Sequence, residues 1–373
     1  MSARRCRPFD LICCVFAERL RGCEPSEGLR ALVRSQAIDW ERVIGHASAQ
    51  LILPAFAAAL QDLCLTSSLD EEVGAFLEAF HAANEERNRE IRDELAAAVG
   101  ILNRGGIEPV LLKGAIRLVD ELYPDHGWRM LSDLDLLIPG ARWADALRLF
   151  QRAGYAVNGE INKEVPLCRE GGLVQIDLHR ELFSTRRQER LLRGEEVLNC
   201  SRRAAFADVV VRLPSLVHQV VHLIGHRQLV DHNHAYGGFA WRDWFEAAAL
   251  EHWGQEDIDW QAVVARFAAA GYRGPLLTFL LSLQDLCAVP VPGRIGPLTS
   301  LHQYRLRLQT EFATLARISS WAVYCVCEVR KQVEVRDEAG QLRMFRNIKR
   351  LMFERGAARE LARGLVARAP RPQ

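Results

Sequence analysis

Apolar residues recur every three or four positions along the first hundred residues, which is the pattern of amphipathic helices. The stretch LRALVRSQ reads as one helix, and residues 38–63 read as a second, longer one. A third helix covers residues 71–106 and ends in two glycines, which are common directly after a helix. The pattern therefore predicts an N-terminal helical region over residues 1–99.

Beyond this region short apolar runs replace the helical spacing, as is typical of strands. Four runs read as strands, at residues 110–112, 132–138, 164–170 and 173–179. The stretch AIRLVDELYP reads as a helix that Pro124 stops, and ARWADALRLFQRAGY as one that stops at Gly154. Gly171-Gly172 predicts a hairpin between the last two strands. Strands and helices thus mix in a core over residues 100–212.

Helical spacing returns over residues 213–329, interrupted by loops at 236–238 and 290–297. Residues 330–373 form a basic helical tail, with twelve Lys and Arg against five acidic residues. Contact with an anionic nucleic acid is one hypothesis for this tail, and a solvated surface is the other. The prediction is an α+β fold, in which a small mixed β-sheet with helices lies between two helical regions.

Composition agrees with a folded globular protein and changes the picture little. Of 373 residues, 49% are hydrophobic and 25% charged, which excludes the disordered and fibrous classes. No segment reaches about 18 unbroken apolar residues, so no membrane span is expected. Ten cysteines without a secretory signal favour a reducing compartment, and we expect a cytoplasmic protein. Neither Cys13-Cys14 nor the pair Cys325 and Cys327 has C-x-x-C spacing, so we interpret them as plain thiols.

The strand at residues 132–138 carries the chemistry that stands out. Asp133 and Asp135 project to one face of a strand while the leucines between them point to the core. Two carboxylates on one face repel each other unless a cation lies between them. With Asp177 on a later strand they would hold two hard cations, as in two-metal phosphate chemistry.

Basic residues and a glycine accompany these carboxylates. Lys113 and Gly114 follow the first strand, where backbone amides and a mobile ammonium suit phosphate. Arg129, four residues before the first aspartate, would clamp phosphate oxygens or stabilise charge in the transition state.

The order of these motifs resembles the nucleotidyltransferase superfamily of DNA polymerase beta type. A strand ending in L-K-G, then R-x-x-S-D-L-D-L-L, then a hairpin ending in V-Q-I-D-L-H is similar, more narrowly, to the bacterial uncharacterised nucleotidyltransferase family. The resemblance is strongest over residues 110–179, and it implies a nucleotidyltransferase-type mixed sheet with helices behind it. The usual turn of the superfamily is Gly-Ser, whereas Lys113-Gly114-Ala115 has no hydroxyl.

The resemblance also implies the roles of the site residues. Asp133, Asp135 and Asp177 would be catalytic and ligate Mg²⁺ or Mn²⁺, with Asp177 polarising the acceptor hydroxyl. The residues expected to bind the nucleotide are Lys113, Gly114, Arg129, Ser132 and His179.

The predicted function is an enzyme that transfers a nucleoside monophosphate from an NTP, ATP among them, to a hydroxyl acceptor with release of pyrophosphate. The acceptor is unknown, and a small molecule, natural-product or polysaccharide intermediate is the first hypothesis. One alternative is a toxin-type nucleotidyltransferase that acts on tRNA or protein. An alternative of another class is a non-catalytic nucleotide-binding scaffold protein.

Other candidates in the C-terminal region stay open. His218, His222 and His226 recur every four residues and would share a helix face, either as zinc ligands, as a lining of the cleft or in plain packing. The resemblance also implies an acidic residue near the site in the stretch WRDWFEAAAL, either Asp243 or Glu246. Three tryptophans of the same region, Trp241, Trp244 and Trp253, are expected in the core. Asp120 and Glu121 are expected on a solvated helix face.

Overall fold

Helices and one mixed sheet make up the part of the chain that the computed structural model describes, which is residues 7–287 except 23, 36, 160–163, 237 and 239. The α-helices are α1 (Pro8–Leu20), α2 (Glu27–Arg34), α3 (Trp40–Ala49), α4 (Leu53–Asp62), α5 (Glu71–Arg104), α6 (Trp143–Arg152), α7 (Arg186–Glu189), α8 (Gly194–Asn199), α9 (Leu216–Gly225), α10 (Asn233–Tyr236), α11 (Trp241–Trp253), α12 (Trp260–Ala269) and α13 (Arg273–Cys287). The loop at 290–297, the basic tail and the pair Cys325 and Cys327 lie outside the described residues.

Seven described strands form a single sheet in the order β3-β4-β5-β2-β1-β7-β6. They are β1 (Val110–Leu112), β2 (Asp133–Leu137), β3 (Ala156–Val157), β4 (Glu164–Cys168), β5 (Gln175–His179), β6 (Arg202–Phe206) and β7 (Val209–Leu213). The pairs β2–β5 and β1–β7 are parallel, and the other neighbouring pairs are antiparallel. The sheet is therefore mixed, and the predicted α+β fold is confirmed.

One face of the sheet packs against the long helix α5 and against α6. Leu134 and Leu136 of β2 are fully buried there, together with Leu95 of α5 and Phe150 of α6. Because side chains alternate along a strand, Asp133 and Asp135 project to the opposite face. The packing of one face thus decides which side of the sheet can carry the polar site.

Two helix predictions need correction. Residues 38–63 form the two helices α3 and α4, because Leu51 adopts a left-handed conformation with φ 57° and Pro54 starts a new helix. The predicted helix of AIRLVDELYP is only a 3-10 turn, Lys113–Leu118. At its end the carbonyl of Leu118 accepts a 2.9 Å hydrogen bond from Arg92 of α5.

Three strands are absent from the sequence prediction: β3 and the hairpin of β6 and β7. The hairpin turns at Ala207 and Asp208, which both have positive φ, of 44° and 62°. Such turns usually carry Asn-Gly or Asp-Gly, so Ala-Asp gives no hairpin signal in the sequence. These short strands lie toward the two edges of the sheet, where alternation of apolar residues is weak.

The described chain up to Val230, and again from Ala240, belongs to one compact unit. The short segment that contains α10 belongs to a second unit. The boundaries expected after residues 99, 212 and 329 remain predictions.

Within the described residues, no helix is both long and apolar enough to cross a membrane. The described cysteines, Cys13 and Cys14 among them, are all free thiols, as interpreted from their spacing.

Candidate functional site

Two of the three predicted aspartates lie side by side on the open face of the sheet. Strands β2 and β5 run parallel, and their register places Asp135 directly opposite Asp177. Asp133 pairs in the same way with Gln175. The antiparallel strand β1 brings Leu112, the residue before Lys113, opposite Asp135. The sheet therefore assembles residues that are up to 64 positions apart in the sequence, 113 to 177.

Asp135 is the buried centre of this group, with 1% of its side chain exposed. Its Oδ1 accepts a hydrogen bond of 2.7 Å from the Lys113 ammonium and lies 2.7 Å from Nε2 of His179. Burial alone would raise the pKa of the Asp135 carboxyl, but Lys113 and His179 hold it well below its usual value. Asp135 is therefore ionised and electrostatically balanced by neighbouring side chains.

His179 links this centre to the neighbouring strand β4. Its Nδ1 lies 3.3 Å from Oε2 of Glu164, which is its register partner. Glu164, His179, Asp135 and Lys113 thus form a row of contacting polar side chains that runs from β4 through β5 and β2 to the turn after β1. The sequence reasoning missed Glu164, because its contact with His179 depends on the register of the hairpin.

Asp177 is the more accessible carboxylate of the pair. Its Oδ1 accepts a 2.7 Å hydrogen bond from Gln175. Burial, followed by the negative charge of Asp135, raises its pKa above the usual value. A carboxylate in this position gains from a cation or from a proton.

Asp133 and Ser132 lie at the start of β2 and are more peripheral. The hydroxyl of Ser132 donates a 3.1 Å hydrogen bond to Asp133. The group of possible metal ligands that lie within 4.8 Å of one another contains Asp135, Asp177 and His179, and Asp133 is not in it. The structure thus brings two of the three predicted metal ligands together and adds His179 to them.

The Lys113-Gly114 turn lies directly beside Asp135. Lys113 has a φ of 49°, an uncommon conformation for a residue with a side chain. At Gly114 a Cβ atom would lie 2.5 Å from Leu131 and 3.0 Å from Nε of Arg129. Glycine is therefore required at this turn by the close packing of the loop before β2.

Arg129 is buried beneath this turn, with 6% exposed. Its guanidinium forms an ion pair with Glu246 of α11, and the other oxygen of Glu246 is 3.1 Å from Nε of Arg117. Burial, followed by repulsion from Arg242, lowers the pKa of Arg129 to about 10. In this structure Arg129 contacts α11, and its predicted phosphate contact stays a prediction.

The expectation that Asp120 lies on a solvated helix face is wrong. Asp120 is half-buried and forms an ion pair with Arg117, so it is not on a solvated helix face. Glu121 is exposed, as expected.

Of the two candidates Asp243 and Glu246, Glu246 is the one that lines the cavity next to Lys113. Asp243 is also buried, but it forms a 2.5 Å ion pair with Arg227. The cavity measures about 20 Å³, enough for one water molecule. His218 and His222 of α9 line this cavity too, and a contact of these histidines with the aspartates of the site stays a prediction.

The described residues contain no metal-ligand group that includes the histidines of α9. His218 lies 3.5 Å from Glu196 and 3.4 Å from Arg266. The tryptophan prediction is confirmed for Trp241 and Trp244, which are buried in the core.

Two buried asparagines of α5 fix the loop that carries Arg129. Asn84 donates to the carbonyls of Gly127 and Arg129, and Asn88 to those of His126 and Arg129, at 2.6–3.2 Å. The sequence reasoning missed both, although two asparagines four residues apart in a helix offered a signal. Polar side chains on a helix face that packs inward usually hold buried backbone groups.

A second group of potential metal ligands combines His81 and Glu85 of α5 with Asp125. His81 Nε2 lies 3.2 Å from Asp125, and its Nδ1 lies 3.2 Å from the carbonyl of Pro54. These contacts already use both ring nitrogens of His81. We therefore interpret this group as an ion pair that ties α4, α5 and the loop together.

The group around Asp135 and Asp177 has donor atoms that fit a divalent cation. Asp135 and Asp177 offer carboxylate oxygens as ligands, and the nearby His179 ring already contacts Asp135 and Glu164 through its two nitrogens. Such ligands suit Mg²⁺ or Mn²⁺, and the raised pKa of Asp177 marks the place where an added positive charge would relieve repulsion.

Comparison with known proteins agrees with this geometry. The model of a family described as uncharacterised nucleotidyltransferase matches residues 36–288, more than half of the chain. No curated protein matches the chain significantly, and neither does any solved structure.

Proposed function

The chain belongs to the uncharacterised nucleotidyltransferase family, and on this premise we propose that it transfers a nucleoside monophosphate from an NTP to a hydroxyl group with release of pyrophosphate. The observation that carries the proposal is the register of β2 and β5, which places Asp135 beside Asp177 with His179 and Lys113 around them. Members of this class generally use divalent metals, and the carboxylates present here fit such an ion.

A bound divalent cation would neutralise phosphate charge and lower the pKa of the attacking hydroxyl. Asp135 and Asp177 would hold this cation, with Asp133 at the rim of the site. Asp177, the more accessible carboxylate of the pair, is the best placed to accept the proton of the acceptor hydroxyl. His179 keeps Asp135 in position through its 2.7 Å contact.

Lys113 and the backbone of the turn at Gly114 would bind the phosphates of the NTP. The Lys113 ammonium is carried by a flexible side chain and lies next to Asp135, one of the carboxylates that would face the reacting phosphate. Arg129, held by Glu246, would support the turn because it lies so close that a Cβ atom at residue 114 would come within 3.0 Å of its Nε. Ser132 lies at the entrance beside Asp133.

The acceptor is proposed to be a small molecule or a polysaccharide or natural-product intermediate. A transfer to tRNA or protein is the alternative for the same chemistry. The two are distinguished by the pool of molecules that becomes labelled.

The test is label transfer by the purified protein. Each α-phosphate-labelled NTP is incubated with Mg²⁺ or Mn²⁺ and, separately, with a metabolite extract, total tRNA and a protein fraction. We expect labelling of one pool that falls by about 10²–10⁴-fold in Asp177→Asn and in Asp135→Asn, since each variant removes a charge that the reaction uses.

The matched control is Asp145→Asn, which removes an exposed carboxylate of α6 paired with Arg142 and Arg148. Its activity should equal that of the unmodified protein. NTP binding without transfer to any of the three pools would instead support a non-catalytic nucleotide-binding protein. Labelling that persists in Asp135→Asn would show that another site performs the reaction.

A further inference from the structure

The ion pair of Lys113 and Asp135 occupies one of the two carboxylate oxygens that Asp135 could offer to a metal ion. Oδ1 of Asp135 has two contacts of 2.7 Å, one from the Lys113 ammonium and one from His179. A carboxylate oxygen has two lone pairs, so both are used by these contacts. A divalent cation that approached this oxygen to about 2.1 Å would have to take the place of one of them.

Of the two side chains that contact Oδ1 of Asp135, Lys113 can move away more easily than His179. His179 is fixed within β5, has 1% of its side chain exposed and also faces Glu164 on β4. Lys113 lies at the end of β1 and has 22% of its side chain exposed. Its ammonium ends a four-carbon chain with several rotatable bonds, which can swing away without a change in the sheet.

The charge of Lys113 is also the one that competes with a metal ion. The Lys113 ammonium lies 2.7 Å from Oδ1 of Asp135, so its positive charge stands at the oxygen that an ion would approach. A buried carboxylate without a cation would be strongly unfavourable. Lys113 therefore supplies in the metal-free protein the positive charge that an ion would supply otherwise.

We propose that Lys113 is the resident counter-ion of Asp135, and that a divalent cation binds by displacing its ammonium, which then turns to the phosphates of the NTP. The inference rests on the proposed function, since it concerns the metal and nucleotide of that site. Metal binding and phosphate binding become coupled through one side chain. The NTP is bound by a free ammonium only after the metal has arrived.

The first experiment measures Mn²⁺ binding without nucleotide, from the electron paramagnetic resonance signal of free Mn²⁺. We expect Lys113→Met to bind Mn²⁺ at least about tenfold more tightly than the unmodified protein, because a competing positive charge next to the ion is removed. Lys113→Arg keeps the charge and should show no such gain. Arg104→Met, at the exposed end of α5, controls for the change in net charge and should bind as the unmodified protein does.

A second measurement uses the unmodified chain and so does not depend on the folding of a variant. An amine-acetylating reagent labels lysines, and mass spectrometry follows Lys113, with the other lysines as internal references. We expect Mn²⁺ to raise the labelling rate of Lys113 several-fold, and a non-hydrolysable ATP analogue added with Mn²⁺ to lower it again. Asp135→Asn should show fast labelling of Lys113 with or without Mn²⁺.

The outcomes separate this inference from the proposed function. Binding of Mn²⁺ with unchanged labelling of Lys113 and equal affinity in Lys113→Met would mean that the ion uses other oxygens, which overturns the displacement and leaves the function standing. No binding of Mn²⁺ to any of these proteins would overturn both. Tighter binding in Lys113→Met together with metal-induced labelling establishes the displacement.

Discussion

Gly114 shows how closely the turn beside the carboxylates is packed. A Cβ atom at this position would come within 2.5 Å of Cδ2 of Leu131 and 3.0 Å of Nε of Arg129. Both neighbours are buried, and Arg129 is held by its ion pair with Glu246. A side chain at residue 114 would therefore push against groups that cannot easily move.

We predict that Gly114→Ala lowers the free energy of unfolding by about 1–3 kcal/mol, the usual cost of overpacking. The measurement is urea unfolding followed by circular dichroism. The control is Gly45→Ala in α3, where a Cβ atom meets nothing within 4 Å. Since alanine favours a helix, this control should gain up to about 1 kcal/mol. Equal effects of the two substitutions would show that the turn is not tightly packed.

At the scale of elements, α5 acts as the support of the loop that leads into β2. Asn84 and Asn88 donate hydrogen bonds to backbone carbonyls of this loop, and His81, at 8% exposed, forms an ion pair with Asp125. Burial would lower the pKa of His81, but Asp125, the carbonyl of Pro54 and Glu85 raise it above its usual value. The fold thus favours the charged imidazole.

This shift predicts a dependence of stability on pH. Because the pKa of His81 is raised in the folded state, its contribution is complete below the unfolded value of 6.5 and is lost as the pH rises through the folded value. The unfolding free energy of the unmodified protein minus that of His81→Gln should therefore shrink from pH 5.5 to pH 9. Urea unfolding across this range measures the difference.

His252→Gln is the control for this experiment. His252 is exposed on α11, and burial lowers its pKa, so the folded state favours its neutral form. The unfolding free energy of the unmodified protein minus that of His252→Gln should be small, and it should increase as the pH rises. If the difference in unfolding free energy between the unmodified protein and His81→Gln does not vary with pH, the ion pair of His81 and Asp125 is contradicted.

At the scale of the whole molecule, the N-terminal helices and α11 share one aromatic core. The ring of Phe16 in α1 lies 4.3 Å from Phe245, 6.1 Å from Trp241 and 6.2 Å from Phe56 of α4, measured between centroids. Phe16 is completely buried. The same helix α11 carries Glu246, which reaches Arg117 and Arg129 near the site.

We predict that Phe16→Ala lowers the free energy of unfolding by about 3–5 kcal/mol, because it leaves a cavity between α1, α4 and α11. Urea curves recorded by circular dichroism and by tryptophan fluorescence should shift together, since the helices and the sheet of this unit unfold as one. Phe76→Ala, at a residue that is 46% exposed, should change the value by at most about 0.5 kcal/mol. A shift in only one of the two signals would show that α1 unfolds separately.

Patterns within a few neighbouring residues were enough to predict a large part of this protein. The alternation of Asp133, Leu134 and Asp135 determined the two faces of β2, and the order of strands, hairpin and helices gave the α+β fold. These features depend on local periodicity, which the sequence states directly. The hairpin of β6 and β7 escaped prediction, because its turn at Ala207 and Asp208 lacks the usual turn residues.

The sequence by itself thus determined the family, the α+β class of the fold and the carboxylates that face away from the core of the sheet. Only the tertiary structure decided which side chains surround them: Lys113 and His179 on Asp135, Glu164 behind His179, and Glu246 between Arg117 and Arg129. The physical reason is that a buried charge must find its partner in space. Strand register and helix packing bring together partners that are far apart in the sequence. A pattern among neighbouring residues therefore cannot show which charged side chains meet.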